Sequence, residues 1–323
     1  MSYIVTGGCG FIGSNFVNYL CDVTDDNVYV LDKMTYAADS GNILPKNYKN
    51  NRVTVNQCDL ATNTWSVDDV LKKGNVKAIF HFAAESHVDN SITSPQIFID
   101  ANVTGTFNIL QKAKEYSVPR FVHISTDEVY GTLGIDDPSF EETKILEPNN
   151  VYSASKASAD LIVRSFNKTY GLDAVTTRCC NNYGPRQHKE KLVPKVIHNA
   201  LNVIPIPVYG AGDNIREWIY VEDHCKAIYE VYKSGTSGEV YNIGSGKEIE
   251  NIEMVKLILD IVGQSYDLIE FVTDRLGHDF RYSINSDKLN SIAKINYKDF
   301  TEGLEQTVQW YEDYSNRPRC TIK

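Results

Sequence analysis

The chain has 323 residues, enough for about two domains, and sets 32 Lys and Arg against 42 Asp and Glu for a formal charge of −10. Its 42 % apolar and 23 % charged content is ordinary globular usage and excludes disorder, collagen and coiled coil as the main account. The acidic balance argues against nucleic acid, which needs a basic face; no apolar run approaches the ~18 residues that span a bilayer, and the opening MSYIVTGG has no signal-peptide pattern.

A soluble cytoplasmic protein with no membrane or nucleic-acid partner is therefore expected. Seven cysteines (Cys9, Cys21, Cys58, Cys179, Cys180, Cys225 and Cys320) include no Cys-x-x-Cys pair. Neither a disulfide framework nor a metal site is expected from them.

Tyr3–Thr6, Val28–Asp32, Ala78–Ala83, Phe121–Ser125 and Ala174–Arg178 read as strands, short and rich in Val, Ile and Phe, as in parallel sheets covered on both faces. Helical patterns lie between them. Phe11–Cys21 is the first, and Pro95–Tyr116 carries Ile99, Val103, Phe107 and Leu110 in one stripe. Tyr152–Tyr170 carries Ala159, Leu161, Ile162 and Phe166. The alternation predicts an α/β fold built on a doubly wound parallel sheet. Beyond about residue 180, Pro185, Pro194, Pro205 and Pro207 with Gly210 and Gly212 predict loops. Helices follow near Ile252–Val262 and Phe300–Tyr314, the second with Phe300, Leu304, Val308 and Tyr311 on one face. The expected division is a dinucleotide-binding domain over 1–180, rejoined by roughly 215–245, and a smaller mixed α/β substrate-binding lobe over 181–323.

Between the first strand and the first helix stands Thr6-Gly-Gly-Cys-Gly-Phe-Ile-Gly13. Glycines at Gly7, Gly10 and Gly13 let the backbone turn, approach a pyrophosphate and pack helix on strand. The helix N-terminus behind them favours negative charge. Asp32 ends the second strand, where an acid accepts from ribose hydroxyls and repels a 2′-phosphate, so the expected cofactor is NAD rather than NADP.

Tyr152-Ser-Ala-Ser-Lys156 opens a predicted helix and stacks Tyr152 and Lys156 one turn apart. A free Tyr has a pKa of about 10, too high for a base at neutral pH. A Lys ammonium ~6 Å away, at an effective dielectric of ~20, is worth roughly 3 kcal/mol, about two pKa units. Tyr152 is then able to take a hydroxyl proton as a hydride leaves the same carbon.

The glycine loop, the Tyr-Lys pair, His81-Phe-Ala-Ala-Glu-Ser86 and Asn181-Asn-Tyr-Gly-Pro185 together resemble the extended short-chain dehydrogenases/reductases acting on nucleotide sugars. The likeness is strongest to the nucleotide-diphosphate-glucose 4,6-dehydratases and runs from residue 3 to about 312. Asp32-Lys-Met-Thr35, Ser125-Thr-Asp-Glu-Val-Tyr-Gly131, Glu190-Lys-Leu192, Arg216-Glu-Trp218 and Asp274-Arg-Leu-Gly-His278 are further markers. The resemblance implies a Rossmann domain, bound NAD, a nucleotide-diphosphate hexose as substrate and a homodimer formed through the helices near 95–116 and 152–170.

It also implies roles. Tyr152 is the base at the 4-hydroxyl with Lys156 behind it, and Thr126 bonds the same oxygen. Glu128 removes the C5 proton, and Asp127 protonates the departing 6-hydroxyl. The bland alternative is that Ser125-x-x-Glu128 is only a helix capping box. Cofactor positions implied are Phe11, Ile12, Lys33, Thr35, Asp59, Leu60, Ala83, Ala84 and Asn182, besides the loop glycines and Asp32. Substrate positions implied are Ser86, Asn181, Glu190, Lys191, Leu192, Arg216, Asn251, Arg275 and His278. Leu276 stands where the family usually has Pro, and Arg186-Gln-His-Lys189 replaces a more aromatic segment. These departures leave the nucleotide base, thymine or uracil, open. A 4-epimerase or uronate decarboxylase shares the scaffold but lacks the Asp–Glu combination, and a non-catalytic NAD sensor would not need it.

Overall fold

The computed structural model describes residues 1–315; Cys320 and the end of the lobe expected to reach residue 323 lie outside the described residues. Seven parallel strands form the central sheet: β1 (Ser2–Thr6), β2 (Asn27–Asp32), β3 (Val53–Gln57), β4 (Val76–His81), β5 (Phe121–Thr126), β6 (Ala174–Cys179) and, after an excursion, β10 (Val240–Ile243). Their order is β3-β2-β1-β4-β5-β6-β10. The order reverses between β1 and β4, which opens a crevice at the carboxyl ends of the strands.

Strands β1, β5 and β6 are buried at every position, so each face needs its own cover. Phe16, Val30, Phe80 and Ile228 pack on one face, and Ile4, Ile79, Leu110, Phe121 and Phe166 on the other. The helix Val151–Tyr170 is capped at both ends. Asn150 accepts from the Ser153 N–H at 2.9 Å, and Gly171 closes it in the left-handed conformation at φ +69.

The loops expected after residue 180 are largely regular structure. β7 (Asn181–Tyr183), β9 (Ile215–Tyr220) and β11 (Glu248–Glu250) form a three-stranded sheet, and β8 (Ile206–Tyr209) pairs with β12 (Ile269–Val272). Helices Leu192–Leu201, Asn251–Val262 and Phe300–Ser315 close a third core around Ile197, Trp218, Ile258, Leu304 and Val308. Pro194 falls in the first turn of its helix, where no N–H is missed. The helix Val221–Ser234 packs on Phe11–Val23 and leads into β10, which pairs with β6.

The helical stripe over 95–116 also differs. The path is Pro95–Phe98, a π-helical turn over Ile99–Thr104, then Gly105–Glu115. Ile99 and Phe107 are exposed, as is Leu161 on the neighbouring helix. The core side is instead Phe98, Asn102, Thr106, Ile109, Leu110 and Ala113. Among the described residues no helix is long and apolar enough to cross a membrane.

Candidate active site

The crevice holds two adjoining cavities of about 340 and 170 Å³. The first is floored by backbone. Gly7 sits at φ +67, and a Cβ there would lie 2.7 Å from Ala83 Cα. A Cβ at Gly13 would lie 2.2 Å from the Gly7 carbonyl. Gly10 precedes the helix Phe11–Val23 with no side-chain cap, so the first-turn N–H groups face the cavity unclaimed, an acceptor for anions. Asp32 Oδ2 accepts from the Cys9 N–H at 2.9 Å and Oδ1 from the Met34 N–H at 2.8 Å; the acid holds the loop as well as facing the cavity.

Phe11, Ile12, Lys33, Thr35, Asp59, Leu60, Ala83 and Ala84 line the same cavity. Lys33 pairs with Asp59 at 3.0 Å. Asn182 lines it too, with its side chain fixed by the Cys180 carbonyl at 3.0 Å and His224 at 2.8 Å. Beyond β4, the backbone of Glu85 is clamped by Asn102 from the π-turn. The Glu85 N–H donates to Asn102 Oδ1 at 2.8 Å, and Asn102 Nδ2 donates to the Glu85 carbonyl at 3.0 Å and to Ser155 Oγ at 2.8 Å.

At the inner end, β5 delivers Thr126, Asp127 and Glu128, and the capped helix delivers Tyr152 and Lys156. All five line the first cavity. The capping alternative is half realised, since Thr126 rather than Ser125 caps the short turn, accepting from the Glu128 N–H at 3.3 Å. Lys156 Nζ donates to the Ile124 carbonyl at 2.7 Å. Burial pulls Lys156 down to about 8.

Burial, reinforced by Glu128 and Cys179, pushes the Tyr152 hydroxyl well above its ordinary value. Burial of the phenolate dominates, and a hydrogen bond with Thr126 acts the other way.

The two carboxyls are buried differently. Asp127 Oδ1 accepts from Thr126 Oγ1 at 3.2 Å, while Oδ2 has no partner among the described residues. Burial, with the Glu128 and Glu217 carboxylates nearby, holds Asp127 well above the usual carboxylate range. Burial also raises Glu128, but Lys191 and Arg216 pull it back, and Ser153 Oγ donates to it at 3.3 Å. One group is set to carry a proton and its neighbour to accept one.

Glu128 also lines the second cavity, which is built of side chains from both parts of the chain. Asn181, Glu190, Lys191 and Leu192 line both cavities; Arg216, Asn251, Arg275 and His278 line the second; Ser86 lines the first. Arg216 donates to the carbonyls of Ile215, Phe280 and Asp279 at 2.8, 3.1 and 2.9 Å and lies over the Tyr282 ring. Arg275 grips Asp89 at 2.6 and 3.1 Å. Lys191 Nζ donates to the Ser86 carbonyl at 2.6 Å, and His278 pairs with Asp274 at 2.7 Å.

The sequence reading missed three residues here. Asp89 holds Arg275, His87 lies beside it in the second cavity, and Trp218 joins both cavities with a buried indole Nε1 that lacks a partner among the described residues. The signals were present: His87 and Asp89 follow Ser86 directly, and Trp218 closes the Arg216-Glu-Trp run.

Comparison with known proteins places this geometry. A family model described as GDP-mannose 4,6 dehydratase matches residues 4–307. The chain is 49 % identical over 312 residues to the low-salt glycan biosynthesis protein Agl12 of Haloferax volcanii, covering 96 % of this chain and 98 % of that protein. It is 45 % identical to the dTDP-glucose 4,6-dehydratase of Neisseria meningitidis over 96 % of this chain and 93 % of that one. The crystal structure of DesIV, a dTDP-glucose 4,6-dehydratase from Streptomyces venezuelae solved with NAD bound, superposes with a TM-score of 0.91 at 44 % identity, covering 97 % of each chain. With the Thr-Asp-Glu run and the Tyr-Lys pair meeting at one cavity, the chain belongs to the nucleotide-sugar 4,6-dehydratase family of extended short-chain dehydrogenases/reductases.

Proposed function

We propose that the chain is an NAD-dependent hydro-lyase that converts dTDP-glucose or UDP-glucose to the 4-keto-6-deoxyglucose nucleotide and water. The observation that carries this reading is the pair of carboxyls at the end of β5, held in unlike environments beside Tyr152. An epimerase needs only the Tyr-Lys pair; elimination of water needs a base at C5 and an acid at O6 as well. Each such role contributes about 10²–10⁴ in rate.

The first cavity fits NAD: the uncapped helix takes a pyrophosphate, and Asp32 refuses a 2′-phosphate. Phe11, Ile12, Lys33, Thr35, Asp59, Leu60, Ala83, Ala84 and Asn182 complete its walls. When bound, NAD supplies the acceptor for the C4 hydride and returns it at C6. Tyr152 takes the 4-hydroxyl proton while Thr126 bonds the same oxygen, and Lys156 holds positive charge behind them. Glu128 removes the C5 proton made acidic by the ketone. Asp127 donates its proton to the departing 6-hydroxyl. Arg216, Arg275 and Lys191 take the diphosphate, a match of planar donors to phosphate oxygens, while Ser86, Asn181, Glu190, Leu192, Asn251 and His278 line the nucleotide-sugar path.

In this reading the body around the main sheet binds the cofactor and the lobe after residue 180 binds the nucleotide sugar, in the cytoplasm. Exposed Ile99 and Phe107 beside exposed Leu161 and Tyr170 form an apolar face on two adjacent helices. That face supports a homodimer.

The test is mass spectrometry of products from dTDP-glucose and UDP-glucose in parallel. Loss of one water from either supports the reading; an unchanged mass with both, or carbon dioxide released from a uronic acid instead, overturns it.

A further inference from the structure

The mechanism leaves unused a buried charge cluster directly beneath the base. Asp160 lies one helical turn beyond Lys156 on the same helix, ~6 Å along one face, and both are buried. Asp160 Oδ2 receives Arg178 Nε at 2.8 Å, and Oδ1 lies 3.2 Å from His123 Nε2. His123 stacks on His81 at 5.6 Å, and His81 is held by the hydroxyls of Thr6 at 2.7 Å and Thr106 at 2.9 Å.

We propose that Asp160 is a positioning residue for the base: its buried carboxylate, fixed by Arg178 and His123 one helical turn from Lys156, keeps Lys156 in the ammonium form. The proposal rests on the reading of Tyr152 as the base. A surface lysine needs no such help; Lys156 is buried and, among the described residues, its ammonium pairs directly with the Ile124 carbonyl alone.

The groups facing Lys156 are Tyr152 and Asp160 on its own helix, His81 on β4, His123 on β5, and Cys179 on β6. Burial keeps both imidazoles uncharged and pushes the Cys179 thiol up to about 12. Tyr152 is neutral as well. Burial would raise Asp160 too, but the Arg178 guanidinium and its other partners hold it down at about 2. It is the ionised anion of the set. Arg178, paired with it at 2.8 Å, is what keeps it so.

Two readouts test this on the purified full chain. Competitive acetylation of Lys156 with acetic anhydride, followed by mass spectrometry across pH, gives the lysine's titration midpoint without turnover. Single-turnover reduction of bound NAD by dTDP-6-deoxyglucose gives the alkaline limb of C4 oxidation alone, because this analogue has no 6-hydroxyl to lose and bypasses Asp127 and Glu128.

Asp160→Asn is expected to move both midpoint and limb down by about one pH unit or more, with rates approaching wild type at lower pH. Asp160→Glu is expected to restore them. A merely structural role would lower rates equally at every pH and leave the midpoints in place, which overturns the proposal. Should Asp160→Asn not fold, Asp160→Ser decides, since it too removes the charge: an unmoved or raised midpoint is fatal. A wild-type chain that cannot reduce its NAD with this analogue, under conditions where it binds, refutes Tyr152 as base instead.

Discussion

The two cavities are made of different materials. The first is a backbone construction, in which two close-packed glycines, an uncapped helix and one aspartate define its shape before anything binds. The second is a side-chain construction whose cations are already engaged. Arg216 is spent on three carbonyls, Arg275 on Asp89 and Lys191 on the Ser86 carbonyl. A preformed backbone site gains affinity because little is reorganised on binding, whereas the second must exchange internal partners for a ligand's phosphates.

The sharpest separation lies at the junction of the two. Asp127→Asn is expected to cut turnover about 10²- to 10⁴-fold while the substrate still reduces bound NAD, read as reduced-nicotinamide absorbance. Unchanged turnover would remove Asp127 from the mechanism. On the backbone side, Gly13→Ala forces a Cβ to 2.2 Å from the Gly7 carbonyl. Overpacking of ~1–3 kcal/mol is expected to weaken NAD binding about 10- to 100-fold in a fluorescence titration.

On the side-chain side the two members of one ion pair should act oppositely. Arg275→Ala is expected to weaken dTDP binding about 10- to 100-fold, the ~1.5–3 kcal/mol of a charged hydrogen bond. Asp89→Asn releases the arginine and is expected to tighten dTDP severalfold; calorimetry distinguishes this from Asp89 as a ligand contact, which would weaken it. If both variants behave alike, the contrast between the cavities fails.

The smallest effect concerns pH. In the proposed mechanism Glu128 works deprotonated; its pKa is raised above the ordinary 4.5, so kcat is expected to fall as pH drops through that raised value. Lys191 counters the rise, and Lys191→Gln is expected to move the acid limb of kcat upward by a fraction of a pH unit.

The same contrast explains what was legible in the sequence. Five of the seven main-sheet strands stand out because they are short, largely buried and built on Val, Ile, Phe and other strand formers. β3 (Val53–Gln57) escapes because it is an edge strand with polar alternation, and β10 because it rejoins the sheet after some sixty residues of lobe. The lobe's strands are three to six residues long, and one holds Pro207, so punctuation hides them. The glycine loop, Asp32 and Tyr152–Lys156 are contiguous or evenly spaced and can be found by pattern. Asp89 and Arg275 meet across 186 residues of chain, and no local spacing announces such a pair. The apolar spacing over 95–116 shows a helix but not which side is buried: a π-turn interrupts it, and Ile99 and Phe107 are exposed.

That π-turn carries a mechanical consequence. Asn102 sits in it and pins the strand exit at Glu85 to Ser155, which lies between Tyr152 and Lys156 on the catalytic helix. One amide thus fastens the loop after β4, on one wall of the first cavity, to the helix that carries Tyr152 and Lys156 on another. Deleting one residue to regularise the turn would swing Asn102 by ~100° around the helix axis and cut that fastening without touching any group that meets the substrate.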